Sequence, residues 1–139
     1  MRFNSKLIHG GEIKDQFGSA VVPIYQTSTF AFESAEQGAK CFSGEAQGYI
    51  YTRIGNPTIK ALEQAVAILE NGYDGISASS GMGAISTIYM ALLSNGAHLV
   101  SHNAIYGPAR GIIETIFPKF GVESTYIDAS KLENIEKAI

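Results

Sequence analysis

The sequence predicts an α/β fold, with βαβ units around a parallel sheet following an irregular N-terminal arm. Three observations carry that prediction. From Pro57 onward, strand-like and helix-like segments alternate at a regular spacing, the pattern of parallel strands joined by crossover helices. Residues 1–56 have almost no helical period, yet hold Phe17, Tyr25, Phe30, Phe32, Phe42, Tyr49 and Tyr51. Composition supplies the third. Over 139 residues, 45% are hydrophobic and 17% charged, enough apolar surface for a core and too much for a disordered chain.

In the arm, one short helix is expected over residues 34–42. A long aromatic-rich segment must bury its rings somewhere, either across a neighbouring subunit or on its own domain, and composition leaves both open. In the second part, Ile59, Leu62, Val66 and Leu69 recur at helical spacing, with Asn56-Pro57-Thr58 as a start and Gly72 as a stop. Residues 74–79 read as a strand and Ser80-Gly81-Met82-Gly83 as a tight turn. Residues 84–93 read as a helix buried on most faces. Asn95-Gly96 ends it, and residues 97–101 form a second strand. A helix follows over residues 108–117, with Ile112, Ile113, Ile116 and Phe117 as its apolar side. Residues 122–127 form a third strand, and Asp128 or Ser130 caps a last helix through Leu132, Ile135 and Ile139.

Right-handed crossovers would bring the C-terminal ends of the strands to one edge, where open α/β sheets bind ligands. The loops at that edge would be Ser79–Gly83, His102–Gly107 and Asp128.

Net charge −3 argues against a nucleic-acid partner. No apolar run follows the charged start, and the stretch 84–93 is too short to cross a bilayer, so a cytoplasmic protein without membrane contact is expected. Cys41 is the only cysteine, which excludes a disulfide framework, and it is read as a small buried hydrophobe. His9, His98 and His102 have no metal-ligand spacing; His98 is read as structural, and no metal is expected.

Three groups could carry chemistry. The glycines of Ser80-Gly81-Met82-Gly83 let a ligand approach, and the N–H groups opening the next helix suit a phosphate; the same residues would also make a plain turn. They lack the third glycine of the dinucleotide fingerprint and the lysine of a P-loop. In Tyr51-Thr52-Arg53-Ile54-Gly55-Asn56-Pro57-Thr58, the Arg53 fork suits phosphate oxygens and Tyr51 has an O–H to give, though Arg53 would serve equally as a surface residue. Tyr106, after the second strand, can stack on a flat heterocycle and move a proton, or be an ordinary buried tyrosine.

Four blocks, Val22–Phe30, Tyr51–Thr58, Ser79–Ile85 and Tyr106-Gly107, resemble in order and spacing the Cys/Met-metabolism family. These are the trans-sulfuration enzymes that use pyridoxal 5′-phosphate: methionine γ-lyase, the cystathionine lyases, cystathionine γ-synthase and O-acetylhomoserine sulfhydrylase. The resemblance covers essentially the whole chain. Cys41-Phe42-Ser43-Gly44-Glu45 leans towards the methionine γ-lyase branch, whereas Pro108 stands where those lyases carry a cysteine and is closer to some cystathionine β-lyases.

The resemblance implies an aspartate-aminotransferase-like fold of type I. Residues 1–56 would be an inter-subunit arm and residues 57–139 the first part of the cofactor-binding domain. It implies that Tyr51 and Arg53 reach the cofactor phosphate held by a neighbouring subunit, while Gly81 and Met82 give it backbone N–H groups. Thr52 and Ser80 stand with them as cofactor-binding positions. Tyr106 would stack on the pyridine ring and help protonate the leaving sulfur group. The implied chemistry is elimination or replacement at the β or γ carbon of a sulfur amino acid, in a homo-oligomer built as a dimer of dimers.

The family's Schiff-base lysine lies in a Ser-x-Thr-Lys context that none of the seven lysines here occupies. The chain is therefore expected to be the N-terminal third of a member, inactive by itself. Two alternatives are a non-catalytic domain that binds phosphate or a subunit, and an unrelated α/β phosphate binder.

Overall fold

A computed structural model describes residues 2–139. The chain divides into two compact units, Met1–Ser77 and Ala78–Ile139.

The first unit contains α1 (Phe3–His9), α2 (Ala35–Ser43) and α3 (Pro57–Glu70), joined by extended chain. Helix α2 forms one residue later than expected. Ser34 caps it by accepting from Gln37 N at 3.1 Å, while Gln37 Oε1 accepts from Glu33 N at 2.6 Å. Helix α1 has no counterpart in the sequence reading, because its seven residues are too few for a clear period.

Helix α3 starts where Asn56-Pro57 predicts, but its stop is Asn71 and not Gly72. Asn71 takes the left-handed conformation (φ 54°), which asparagine tolerates. Its expected apolar side is also corrected. Ile59, Leu62 and Val66 are exposed, and the buried positions are Pro57, Ala61 and Ala67. Helix α1 packs on α3 through the alanine side. The chain leaving α1 comes so close that a Cβ on Gly11 (φ +79°) would stand 2.1 Å from the Ala61 carbonyl. Only glycine permits both that conformation and that approach.

Several arm rings pack within this unit. Phe30 meets Tyr49 at 5.5 Å between centroids and Phe32 meets Phe42 at 6.1 Å, whereas Phe17 and much of Phe42 are exposed. Cys41 is half-buried against Gly48, less enclosed than expected.

Residues 74–79 are not a strand. Their backbone groups are met by side chains: Gly75 N donates to Asp74 Oδ1 and Ser77 N to Glu63 Oε1, both at 2.8 Å. Lys60 holds Asp74 through both carboxylate oxygens at 2.8 Å. A strand exists only with a neighbour to complete its ladder, and helix α3 takes that place.

The second unit contains α4 (Gly81–Leu92), β1 (His98–His102), α5 (Gly107–Thr115), a 3₁₀ turn (Phe117–Phe120), β2 (Glu123–Ile127) and α6 (Leu132–Ala138). Strands β1 and β2 pair in parallel, His98 opposite Glu123 through His102 opposite Ile127. The sheet has two strands where three were expected. Parallel pairing puts the ends of both strands at one edge, where Asn103 N donates to the Ile127 carbonyl at 2.8 Å.

The core is Ala109, Ile113, Phe117 and Val122, with Tyr89 edge-on to Phe117 at 5.8 Å. Ile113 and Phe117 thus face inward as predicted, while Ile116 is partly exposed. Helix α4 departs most from expectation. It has no buried residue, and Ile88, Met90 and Leu92 are exposed. Its hydropathy describes a helix that needs neighbours on several sides. Neither Asp128 nor Ser130 caps α6: its N-cap is Lys131, and Asp128 Oδ1 instead accepts from Ser130 N and Oγ. No helix of the described residues is long and apolar enough to cross a membrane.

Candidate functional site

The arm motif forms a braced turn. Thr29 and Tyr51 make an antiparallel bridge, flanked by Phe30 N to Ile50 O (3.1 Å) and Thr52 N to Ser28 O (2.8 Å). Ile54 N and Gly55 N both donate back to the Tyr51 carbonyl, closing the turn that carries Arg53. The Arg53 guanidinium lies 5.5 Å from the Tyr51 ring centroid and has no ion-pair partner among the described residues. An unpaired guanidinium over an aromatic ring is an anion receptor held at low entropic cost.

Asn56 is the node behind this turn, and the sequence reading saw in it only a helix start. It is 3% exposed. Its Oδ1 accepts from Thr58 N at 2.8 Å, capping α3, while its Nδ2 donates to Tyr25 O at 2.8 Å and to Thr52 Oγ1 at 3.0 Å. Thr52 Oγ1 in turn donates to the Thr27 carbonyl. Thr58 Oγ1 donates to Pro23 O at 2.8 Å and accepts from Tyr25 N at 2.9 Å. The hydroxyls of Thr52 and Thr58 are thus spent on fixing the arm strand to the turn, leaving Arg53 and Tyr51 as its outward groups. A cleft of about 720 Å³, lined by Tyr49, Arg53, Asn56, Lys60 and Glu63 among others, lies beside the turn.

In the second unit, Ser80 caps α4 by accepting from Gly83 N at 2.9 Å. The N–H groups of Gly81 and Met82 have no partner among the described residues, and nothing lies within 4 Å of where a Gly81 side chain would stand. Two open donors at the positive end of a twelve-residue helix suit an anion.

Tyr106 leads into α5 from the loop after β1 and is 65% exposed. It is not a buried tyrosine with a satisfied hydroxyl: its ring and phenol have no partner among the described residues. In the same loop His102 Nδ1 accepts from Ala104 N at 2.9 Å, with Nε2 3.9 Å from Asp128 Oδ1. The Ser130 hydroxyl and N–H hold the Asp128 carboxyl below its ordinary value. His98 Nε2 sits 2.8 Å from Thr125 Oγ1, a cross-strand contact in keeping with a structural role.

Comparison with known proteins places the chain. The family model described as "Cys/Met metabolism PLP-dependent enzyme" matches residues 4–139. An L-methionine gamma-lyase of Treponema denticola is 46% identical over 137 residues, 99% of this chain and 34% of that protein. A cystathionine gamma-lyase of Bacillus subtilis is 40% identical over 140 residues, 100% of this chain and 35% of that protein. Among solved structures, a Campylobacter jejuni protein assigned as an O-acetylhomoserine (thiol)-lyase and carrying N′-pyridoxyl-lysine-5′-monophosphate superposes with a TM-score of 0.90. It is 34% identical over 100% of this chain and 34% of that one. The chain spans about a third of the length of the curated relatives it matches.

Proposed function

Because the chain belongs to the Cys/Met metabolism PLP-dependent enzyme family, we propose that it supplies the phosphate-side elements of a pyridoxal-phosphate-dependent C–S lyase acting on sulfur amino acids. The methionine γ-lyase type of activity is proposed on the strength of the similarity to the Treponema relative. The observation that carries the proposal is the pair of unpartnered N–H groups on Gly81 and Met82 at the start of α4.

The residues present fit the cofactor's phosphate. Gly81 and Met82 donate from the backbone, with no side chain on Gly81 to crowd the approach. The Ser80 hydroxyl, whose oxygen already accepts from Gly83 N, keeps its own proton to donate. Arg53, with Tyr51 beneath it, is a second anion-binding group. We assign residues 1–56 as an inter-subunit arm whose Tyr51 and Arg53 serve the cofactor of a second copy in a homo-oligomer, with Thr52 acting there by bracing the turn that presents them. Residues 57–139 are the first part of the cofactor-binding domain.

When bound, pyridoxal phosphate supplies an electron sink for charge developing at the substrate's α carbon. Tyr106, exposed in the loop before α5, would offer a flat face to the cofactor ring and a proton on Oη to a departing sulfur group. None of the seven lysines is assigned the role of carrying the cofactor covalently.

The test is a titration of the ¹⁵N-labelled chain with pyridoxal 5′-phosphate and, separately, with pyridoxal. The expected result is movement of the Gly81 and Met82 amide signals with the phosphate ester only. Equal response to both compounds, or to neither at millimolar concentration, overturns the phosphate assignment. The chain alone is expected to release no 2-oxo acid from methionine or cystathionine, and release would overturn the assignment of the lysines.

A further inference from the structure

The exposed ring of Tyr106 has no hydrogen bond or aromatic neighbour among the described residues, so its position comes from the backbone of the loop that carries it. Residues 103–106 have few ties to the rest of the unit. Asn103 N donates to Ile127 O at 2.8 Å and Ala104 N to His102 Nδ1 at 2.9 Å. The remaining ties come from one residue of α5. Arg110 N donates to the Tyr106 carbonyl at 3.1 Å, and Arg110 Nη1 donates to the Asn103 carbonyl at 3.1 Å.

The rest of the Arg110 side chain is fixed as well. Its Nε donates to Glu114 Oε1 at 2.7 Å, and its guanidinium lies 4.3 Å from the centroid of the Tyr126 ring on β2. The plane is thereby held on one face by an aromatic platform and along one edge by a carboxylate. The remaining edge points at the loop. A planar fork meets these three demands together, whereas an ammonium on a flexible stem satisfies one at a time.

We propose that Arg110 is a positioning residue for Tyr106. By joining α5, the Tyr126 platform and the Asn103 carbonyl, it sets the height and direction at which the tyrosine enters the ligand edge. This rests on the reading of Tyr106 as the residue that faces the cofactor ring. Arg110 acts on that ring through the loop, without itself touching a ligand.

The test uses the 139-residue chain with Arg110→Gln and Arg110→Lys. Amide exchange reads the loop, and ¹⁹F signals of 3-fluorotyrosine, with Tyr106 assigned through Tyr106→Phe, read the ring. Losing the guanidinium contacts should speed exchange at Asn103 and Ala104 by about fivefold or more. Amides inside β1 and β2 should keep their rates. The Tyr106 signal is expected to shift on adding millimolar pyridoxal 5′-phosphate, and the shift should at least halve in Arg110→Gln. Arg110→Lys should resemble Arg110→Gln in both readouts.

Unchanged loop exchange in both variants overturns the proposal, as does an Arg110→Lys chain that behaves as wild type. If Arg110→Gln speeds exchange throughout the sheet, its fold is lost and Arg110→Lys decides. A wild-type Tyr106 signal that ignores the cofactor, with the loop still loosened by the substitutions, refutes the reading of Tyr106 and upholds the tie.

Discussion

Asn56 Nδ2 donates to the Tyr25 carbonyl at 2.8 Å across 31 residues of sequence, while its Oδ1 caps α3 through Thr58 N. One amide joins the arm strand, the Arg53 turn and the helix behind them, and it does so where almost no water reaches. Removing it should therefore cost more than a cap. Asn56→Ala is expected to destabilise the first unit by about 2–3 kcal/mol, a cap plus two buried donor bonds. Asn56→Ser, which keeps a capping oxygen but cannot reach Tyr25, should lose roughly half of that. Urea unfolding of both variants checks the ratio.

Lys60 and Asp74 define a pH window. The hydrogen bond from Lys60 holds the Asp74 carboxyl below its ordinary 3.8, and Asp74 raises the Lys60 ammonium above 10.5. For Asp74 the stabilisation is complete above the unfolded value and lost as pH falls through the depressed folded one. For Lys60 it is complete below 10.5 and lost as pH rises through the raised folded value. Urea midpoints should thus be flat between those limits and fall at both ends. Asp74→Asn should remove both pair-dependent losses and loosen residues 75–77. An Asp74→Asn profile matching wild type would show that the pair contributes nothing.

Gly11 should admit no side chain. Its φ of +79° and the 2.1 Å separation between a Cβ and the Ala61 carbonyl leave Gly11→Ala strained in conformation and in space. A loss above about 2 kcal/mol is expected, with α1 leaving α3. Gly81→Ala has open space and an ordinary helical conformation, so its stability should stay within about 0.5 kcal/mol of wild type. Thermal unfolding of the two variants makes the contrast.

Ser80→Ala frees the Gly83 N–H and should weaken the first turn of α4 by about 1 kcal/mol. Exchange at Gly83 and Ala84 reads this directly. Arg53→Ala, in contrast, removes a side chain with no ion-pair partner among the described residues and should leave stability unchanged within about 0.5 kcal/mol. A large loss in Arg53→Ala would mean that its stacking on Tyr51 holds the turn together, contrary to the bracing assigned to Asn56.

Much of the fold was legible in local pattern. The spacing of Ile112, Ile113 and Phe117, the Asn56-Pro57 and Ser34 starts, and the run 122–127 each report a preference expressed within one turn or one strand. The residues proposed to carry chemistry were named from type and place alone, and the glycines expected in a turn open helix α4 instead. Arg110 and Glu114 pair four residues apart on α5, but nothing local announced that the same guanidinium would cross to Asn103 and Tyr126.

What the chain alone determined about this protein is therefore its α/β character, the starts of α2 and α3, the two paired strands, and a family of pyridoxal-phosphate enzymes. Only the tertiary structure decided that Asp74 and Ser77 bond to side chains of α3 where a strand was expected, and that α3 buries Ala61 and Ala67 in place of Ile59, Leu62 and Val66. It also turned Asn56 from a cap into a clamp. The physical reason is common to all three. Periodicity and capping act over three or four residues, whereas the partner of a buried amide, a strand edge or a helix face comes from a distant part of the chain, and its identity appears only when the chain has folded.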